Sequence, residues 1–183
     1  MRKFIWGIIA VGIIGSVLVC SYDEGYHIND WTWKKEEVKM ITWENLKTFV
    51  FEEQGFKVEY PSTFQVDTAE NEVDFFYEVD DEIIFMRCYS ISNSDKWDVQ
   101  TAADSIVEIR KAIRKDSAVM KDMHPDYFYL KLYNEEKGLG FYEQYVVDKD
   151  AIYVYELCYP SHLEARMQRL MDLIHNWNPE PRR

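Results

Sequence analysis

Histidine and cysteine are scarce in this chain of 183 residues, with four of the first and three of the second. Neither is arranged as site chemistry needs. There is no CxxC pair and no spaced histidine couple, which excludes the usual structural zinc patterns. There is no GxSxG stretch and no cysteine–histidine arrangement, and a nucleophile needs a base beside it. Cations are short too: 21 Lys and Arg stand against 33 Asp and Glu, for a net charge of −12. That balance disfavours nucleic acid and anionic lipid headgroups as partners, since both are polyanions. It favours solubility and is compatible with cationic partners or divalent ions. Internal repeats and low-complexity blocks are absent, and long apolar runs reduce to one, Phe4 to Val19.

That run carries the strongest signal present. Arg2 and Lys3 precede it and Cys20 closes it. It is shorter than the roughly 20 residues of a bilayer-spanning helix and is weakened by Gly7, Gly12 and Gly15. Residues 1–19 therefore read as an export signal. Val17, Leu18 and Val19 before Cys20 resemble the lipobox of a bacterial lipoprotein, which implies acylation of Cys20 and a firm hold on the membrane. Asp23 and Glu24 resemble the surface-export tag of Bacteroidota lipoproteins. Two alternatives stay open. Ordinary signal peptidase cuts after Ser21, with Val19 and Ser21 in its small-residue subsites, or the segment is kept as a single-span anchor. The expected location is the cell envelope, membrane-anchored and exported, with the leaflet open.

Residues 20–45 read as a polar tether. Trp31, Trp33 and Trp43 within it either dock on the domain or sit at the membrane interface, where indoles are favoured. Residues 46–178 read as one α+β domain and residues 179–183 as a tail. The chain holds 13 Tyr and 10 Phe, residues that suit sheets. Strands are expected at Thr48–Phe51, Phe56–Tyr60, Val73–Val79 and Ile83–Ile91, with turns at Gln54–Gly55 and Asp80-Asp81-Glu82. Blurred alternation in the last two strands suggests a sheet covered on part of both faces. A helix follows, capped by Asp95 with Asp98 three residues on. Its apolar stripe is Val99, Ala102, Ala103, Ile106, Ile109 and Ile113, and Asp104, Glu108, Arg110, Lys111 and Lys115 form its solvated side. Strands at Tyr127–Tyr133, Phe141–Val147 and Ala151–Tyr159 come next. A capping box, Ser161-His162-Leu163-Glu164, opens a second helix with the stripe Leu163, Met167, Leu170, Met171, Ile174 and Trp177.

Several residues are candidates for chemistry. Cys88 and Cys158 lie in expected strands, and outside the cytoplasm such a pair forms a disulfide if the strands adjoin and the side chains share a face; otherwise both are buried thiols. Tyr129 and Tyr133 project from one side of their strand, and Tyr153, Tyr155 and Tyr159 from one side of the last. They either form an aromatic binding surface for proteins or sugars, or pack under the helices. Glu143 and Glu156 fall on strands expected to be close, where a carboxyl among apolar neighbours has a raised pKa suited to acid–base work; otherwise, among 33 acids, they are a coincidental pair at an edge or facing solvent. Asp122, His124 and Asp126 share one loop and offer oxygen and imidazole ligands, although chance accounts for such a trio in an acidic chain. His27, His162 and His175 have no spaced partner, so no metal site is expected.

The stretch Phe56-Lys57-Val58-Glu59-Tyr60-Pro61-Ser62-Thr63-Phe64 resembles the opening of PsbP-like domains, and the hairpin and closing helix from Phe141 to Trp177 resemble their second half. The resemblance spans about residues 46–178. It implies an antiparallel sheet flanked by two amphipathic helices, a PsbP-like sandwich. The family includes photosystem II extrinsic proteins, a Ran-binding nuclear import factor and bacterial envelope lipoproteins of the DcrB-like kind. Its members mostly bind or stabilise other proteins, so the resemblance implies a protein partner, no cofactor and no catalytic residues. The expected function is that of a non-catalytic, membrane-tethered envelope lipoprotein binding or stabilising a protein partner. The alternatives are a small-ligand or glycan-binding module using the tyrosine face, and a hydrolase using the paired carboxylates.

Overall fold

A computed structural model describes residues 45–52, 56–69, 72–79 and 81–179. The expected export signal, Cys20, His27, the expected tether to residue 44 with its three tryptophans, the Gln54–Gly55 turn and the tail beyond residue 179 lie outside the described residues. Among the described residues the order is β1 (Leu46–Phe51), β2 (Phe56–Pro61), β3 (Gln65–Ala69), β4 (Glu72–Val79), β5 (Glu82–Ser92), α1 (Val99–Arg114), β6 (Ser117–Met123), β7 (Tyr127–Asn134), β8 (Leu139–Val147), β9 (Ala151–Pro160), a 3-10 helix (Ser161–Arg166) and α2 (Gln168–His175).

β1 and β2 form their own antiparallel hairpin, and the other seven strands make one antiparallel sheet in the order β3-β4-β5-β9-β8-β7-β6. The β1–β2 hairpin, the 3-10 helix and α2 share one core with one face of that sheet, built on Val73, Phe75, Met86, Tyr155 and Leu157. α1 covers the other face through Ala102, Ala103 and Ile106, over Phe128, Leu130 and Val154. β8 and β9 are therefore covered on both sides and read as near-continuous apolar runs rather than clean alternation. This is the α+β architecture expected, an antiparallel sheet flanked by two amphipathic helices.

The second stripe holds throughout. Leu163, Met167, Leu170, Met171, Ile174 and Trp177 are all buried, each aliphatic member contributing about 1.5–3 kcal/mol. The start of that element differs from expectation. Ser161 makes no capping bond; Ser161–Arg166 is a 3-10 helix and α2 begins at Gln168. Glu164 is drawn off instead by Lys131, at 2.5 Å, and by the Tyr133 hydroxyl. In α1 the N-cap is Asp98 rather than Asp95. Its carboxylate accepts from the Thr101 N–H at 2.7 Å. The stripe of α1 ends on Arg110, which is buried and not on the solvated side, while Ile113 is exposed.

Two buried asparagines fix the ends of α1. Before it, Asn93 donates to the carbonyls of Trp97 and Asp148 and accepts from the Trp97 N–H. After it, Asn134 donates to the Arg114 carbonyl and to Asp116, and accepts from the Lys137 N–H. Two strands were not expected from sequence, β3 and β6. Both lie at sheet edges and are almost wholly exposed, so no burial pattern marks them. β6 also carries a register shift between Ala118 and Met120, a bulge of the kind that blunts an edge against foreign strands.

Candidate functional site

The tyrosine side comes first. Tyr129, Tyr153, Tyr155 and Tyr159 are all buried in the core beneath the β1–β2 hairpin and α2. The Tyr155 hydroxyl donates to the Glu59 carbonyl at 2.7 Å, and the Tyr129 hydroxyl to the His175 carbonyl at 2.8 Å. The ring of Tyr159 lies across Gly140, its cross-strand partner. Tyr133 is half-buried and tied to Glu164. Burial pushes the Tyr155 phenol well up and that of Tyr159 up to about 12. The five tyrosines are thus cross-braces between layers and not an open binding surface. The reason is that the amphipathic α2 and the hairpin both need that face.

The cysteines do not form a bridge. Cys88 stands opposite Tyr155 and Cys158 opposite Phe85 on adjoining strands, a three-residue offset. An odd offset puts the two side chains on opposite faces: Cys88 belongs to the α2-side core and Cys158 to the α1-side core. Both are buried thiols, and burial pushes the Cys88 thiol well up, with the charge of Glu156 adding to it.

The histidines are engaged as packing groups. His124 stacks on Tyr127 with ring centroids 4.2 Å apart, and its Nε2 lies 3.5 Å from Asp122. His175 stacks on Tyr129 at 4.4 Å, with Nδ1 3.1 Å from the Tyr142 hydroxyl. His162 lies 3.2 Å from Glu82. Asp122, His124 and Asp126 do not converge, and among the described residues no three His, Cys, Asp or Glu side chains do.

The carboxylates are brought together. Glu143 sits directly opposite Glu156 on the α1-covered face. The row continues through Arg87 to Asp74 on one side and to Leu130 on the other. Arg87 is buried and holds Asp74 with two bonds, Nε at 2.6 Å and Nη2 at 2.8 Å. From above, Arg110 places Nη2 2.7 Å from Glu143 and Nε 2.8 Å from Asp116, and its guanidinium lies 4.6 Å from the Phe141 ring centroid. The Tyr145 hydroxyl donates to the other Glu143 oxygen at 2.7 Å. Burial raises the Glu143 pKa to about 6, with Arg110 pulling it down and Glu156 pushing it up. Glu143 is 0 % and Glu156 4 % exposed, so the pair is roofed by α1 and opens to no cleft.

Sequence reasoning found this pair and missed its cations. Arg87 interrupts the run Met86–Cys88 mid-strand, and Arg110 falls four residues after Ile106 on the apolar stripe. Both positions carry the signal of a buried charge.

Two outward-facing features stand out among the described residues. A groove of about 280 Å³ runs between Leu46 and Pro61 on one wall and Arg169, Leu170, Leu173 and Asn176 on the other. Apolar side chains also stand in water at Ile113, Val119 and Met120, where α1 ends and β6 begins.

No family profile matches the chain, and no curated protein does. Solved structures do. The solution structure of cyanobacterial PsbP (CyanoP) from Synechocystis sp. PCC 6803 superposes with a TM-score of 0.53 at 10% identity, covering 77% of this chain and 95% of that one. A protein of unknown function from Pseudomonas aeruginosa, PA94, gives 0.46 at 13% identity over 75% of this chain and 99% of that one. The likeness to CyanoP is one of fold: the chain has a PsbP-like fold.

Proposed function

We propose that this chain is an exported envelope lipoprotein of the DcrB-like kind, held at the membrane through acylated Cys20, whose PsbP-like domain binds or stabilises a protein partner. One observation supports the partner-binding role above the alternatives. Four of the five tyrosines that a ligand-binding reading requires, and the Glu143–Glu156 pair that a hydrolytic one requires, are inside the domain, while large apolar side chains at Leu46, Val50, Val66, Ile113, Val119 and Met120 are exposed. Exposed apolar positions with polar surroundings suit protein contacts.

The tether is tested by the intact mass of the protein extracted from its native membranes. Acylated residues 20–183 are expected; a mass retaining residues 1–19, or one beginning at Tyr22, refutes acylation. The partner is tested with photo-crosslinkers placed in turn at Val119 and at Leu46 of the tethered protein. One protein crosslinked from a single position, and lost when a neighbouring exposed apolar residue (Met120 beside Val119, Val50 beside Leu46) is mutated to Lys, is expected. Equal labelling from both positions, or none, refutes a defined interface.

A further inference from the structure

The charged row under α1 has more acid than base. Asp74, Asp116, Glu143 and Glu156 face Arg87, Arg110 and Arg114, with the half-exposed Glu72 as a further acid 3.9 Å from Arg87. The allocation of the arginines is uneven. Arg87 is committed to Asp74 by two bonds, although Glu156 stands directly across from it. Arg110 divides its fork between Asp116 and Glu143, and Arg114 reaches only Asp116, at 3.9 Å. Among the described residues no hydrogen bond or ion pair engages the Glu156 carboxylate, which is nine-tenths buried and adjoins Glu143 on the same face.

From these positions we propose that the folded domain holds an exchangeable proton on Glu143, directly across from the Glu156 carboxylate, which the unfolded chain releases, so that mild acid stabilises the fold. Two neighbouring carboxylates in a low-dielectric site with one guanidinium aimed at them do not both ionise. A neutral Glu143 carboxyl also supplies an O–H donor beside the Glu156 carboxylate, which no other described group engages.

Among the described residues, every element packed against the pair presents titratable or charged groups to it. β4 presents Asp74 and Glu72, β5 presents Arg87 and Tyr89, β8 presents Tyr145, α1 presents Arg110 and Arg114, and the turn after α1 presents Asp116. Tyr89 and Tyr145 are held neutral, because burial and the glutamates push both phenols well up. Arg110 stays charged, since the surrounding acids outweigh its burial. The titrating centre is therefore Glu143. Burial raises Glu143 to about 6 against its ordinary 4.5. A folded-state value above the unfolded one means that this stabilisation is complete below the unfolded value and is lost as pH rises through about 6. The inference does not depend on the state of Cys20.

The test is the pH dependence of unfolding of the full chain in detergent, compared with Glu143→Gln, which removes the titrating carboxyl. Net negative charge gives both proteins nearly the same general gain on acidification, so the comparison isolates Glu143. Between pH 5 and 7 the unfolding constant of the natural protein should rise roughly tenfold more than that of the variant. Equal slopes overturn the proposal. A measurement on the unsubstituted protein guards against a variant that fails to fold. Infrared spectroscopy at pH 5.5 should show a protonated buried carboxyl band that disappears by pH 7.5, and its absence at pH 5.5 also overturns the proposal.

Discussion

Gly140→Ala adds one methyl group and should cost the domain roughly 1–3 kcal/mol. Two effects oppose each other. Alanine has less freedom than glycine in the unfolded chain, which on its own stabilises by about 0.4–1 kcal/mol. Against this, a Cβ at residue 140 would stand 2.6 Å from Cε2 and Cζ of Tyr159 and 2.8 Å from its hydroxyl oxygen. Contacts that short force a shift, and Tyr159 has little room to give, since it is fully buried in the α2-side core. The overpacking term exceeds the entropic one, so the net sign is destabilising. For a domain of this size the expected loss is about 2–4 °C of melting temperature per kcal/mol. Urea unfolding supplies the free energy, and Tyr159→Leu supplies the control. Leucine removes the atoms that the added methyl would strike, so Gly140→Ala should cost less, or even stabilise, in that background. A Gly140→Ala penalty of the same size in both backgrounds would refute the steric argument.

Other expectations follow from the buried polar groups. Arg110→Met leaves Glu143 and Asp116 facing each other without their cation, and should cost about 3–5 kcal/mol by denaturant titration, recovered in large part by adding Glu143→Gln and Asp116→Asn. Asn134→Ala strips partners from the Arg114 carbonyl, Asp116 and the Lys137 N–H; a loss of about 1–3 kcal/mol is expected, with faster hydrogen exchange concentrated in the last turn of α1. Tyr155→Phe removes one hydroxyl-to-carbonyl bond to Glu59, worth about 1 kcal/mol by the same assay. Cys88 and Cys158 are buried thiols on opposite faces of the sheet, so both should label with maleimide after denaturation without reductant, and neither before it.

Legibility in the sequence followed burial. Strands and helices that fill the core announced themselves, as in the α2 stripe from Leu163 to Trp177, because periodic apolar side chains are what packing requires. β3 and β6 pack little and left no pattern. The Glu143–Glu156 pairing was within reach because a short turn joins their strands, so Val147 meets Ile152 and the register counts back from there. The cysteine pair was not, because Cys88 and Cys158 lie far apart in sequence and one residue of register between β5 and β9 decides which face each occupies. Arg87 and Arg110 were readable as charges in apolar settings, yet their partners on β4 and after α1 were not. The closed state of the tyrosine face required knowing that the β1–β2 hairpin folds over it.

The central strand of the sheet is also its last. β9 joins β5 to β8 and sends alternate side chains into both cores, Tyr153, Tyr155 and Leu157 to one and Ile152, Val154 and Cys158 to the other. Until residue 160 has been synthesised the sheet exists only as two separated blocks, β3-β4-β5 and β8-β7-β6, each with an open inner edge. Neither core is complete without that strand, and closing it depends on pairings distant in sequence, which form slowly. The emerging polypeptide therefore stays open to threading until its final segment arrives. Under the export proposed above, that timing would keep the passenger in a transportable form.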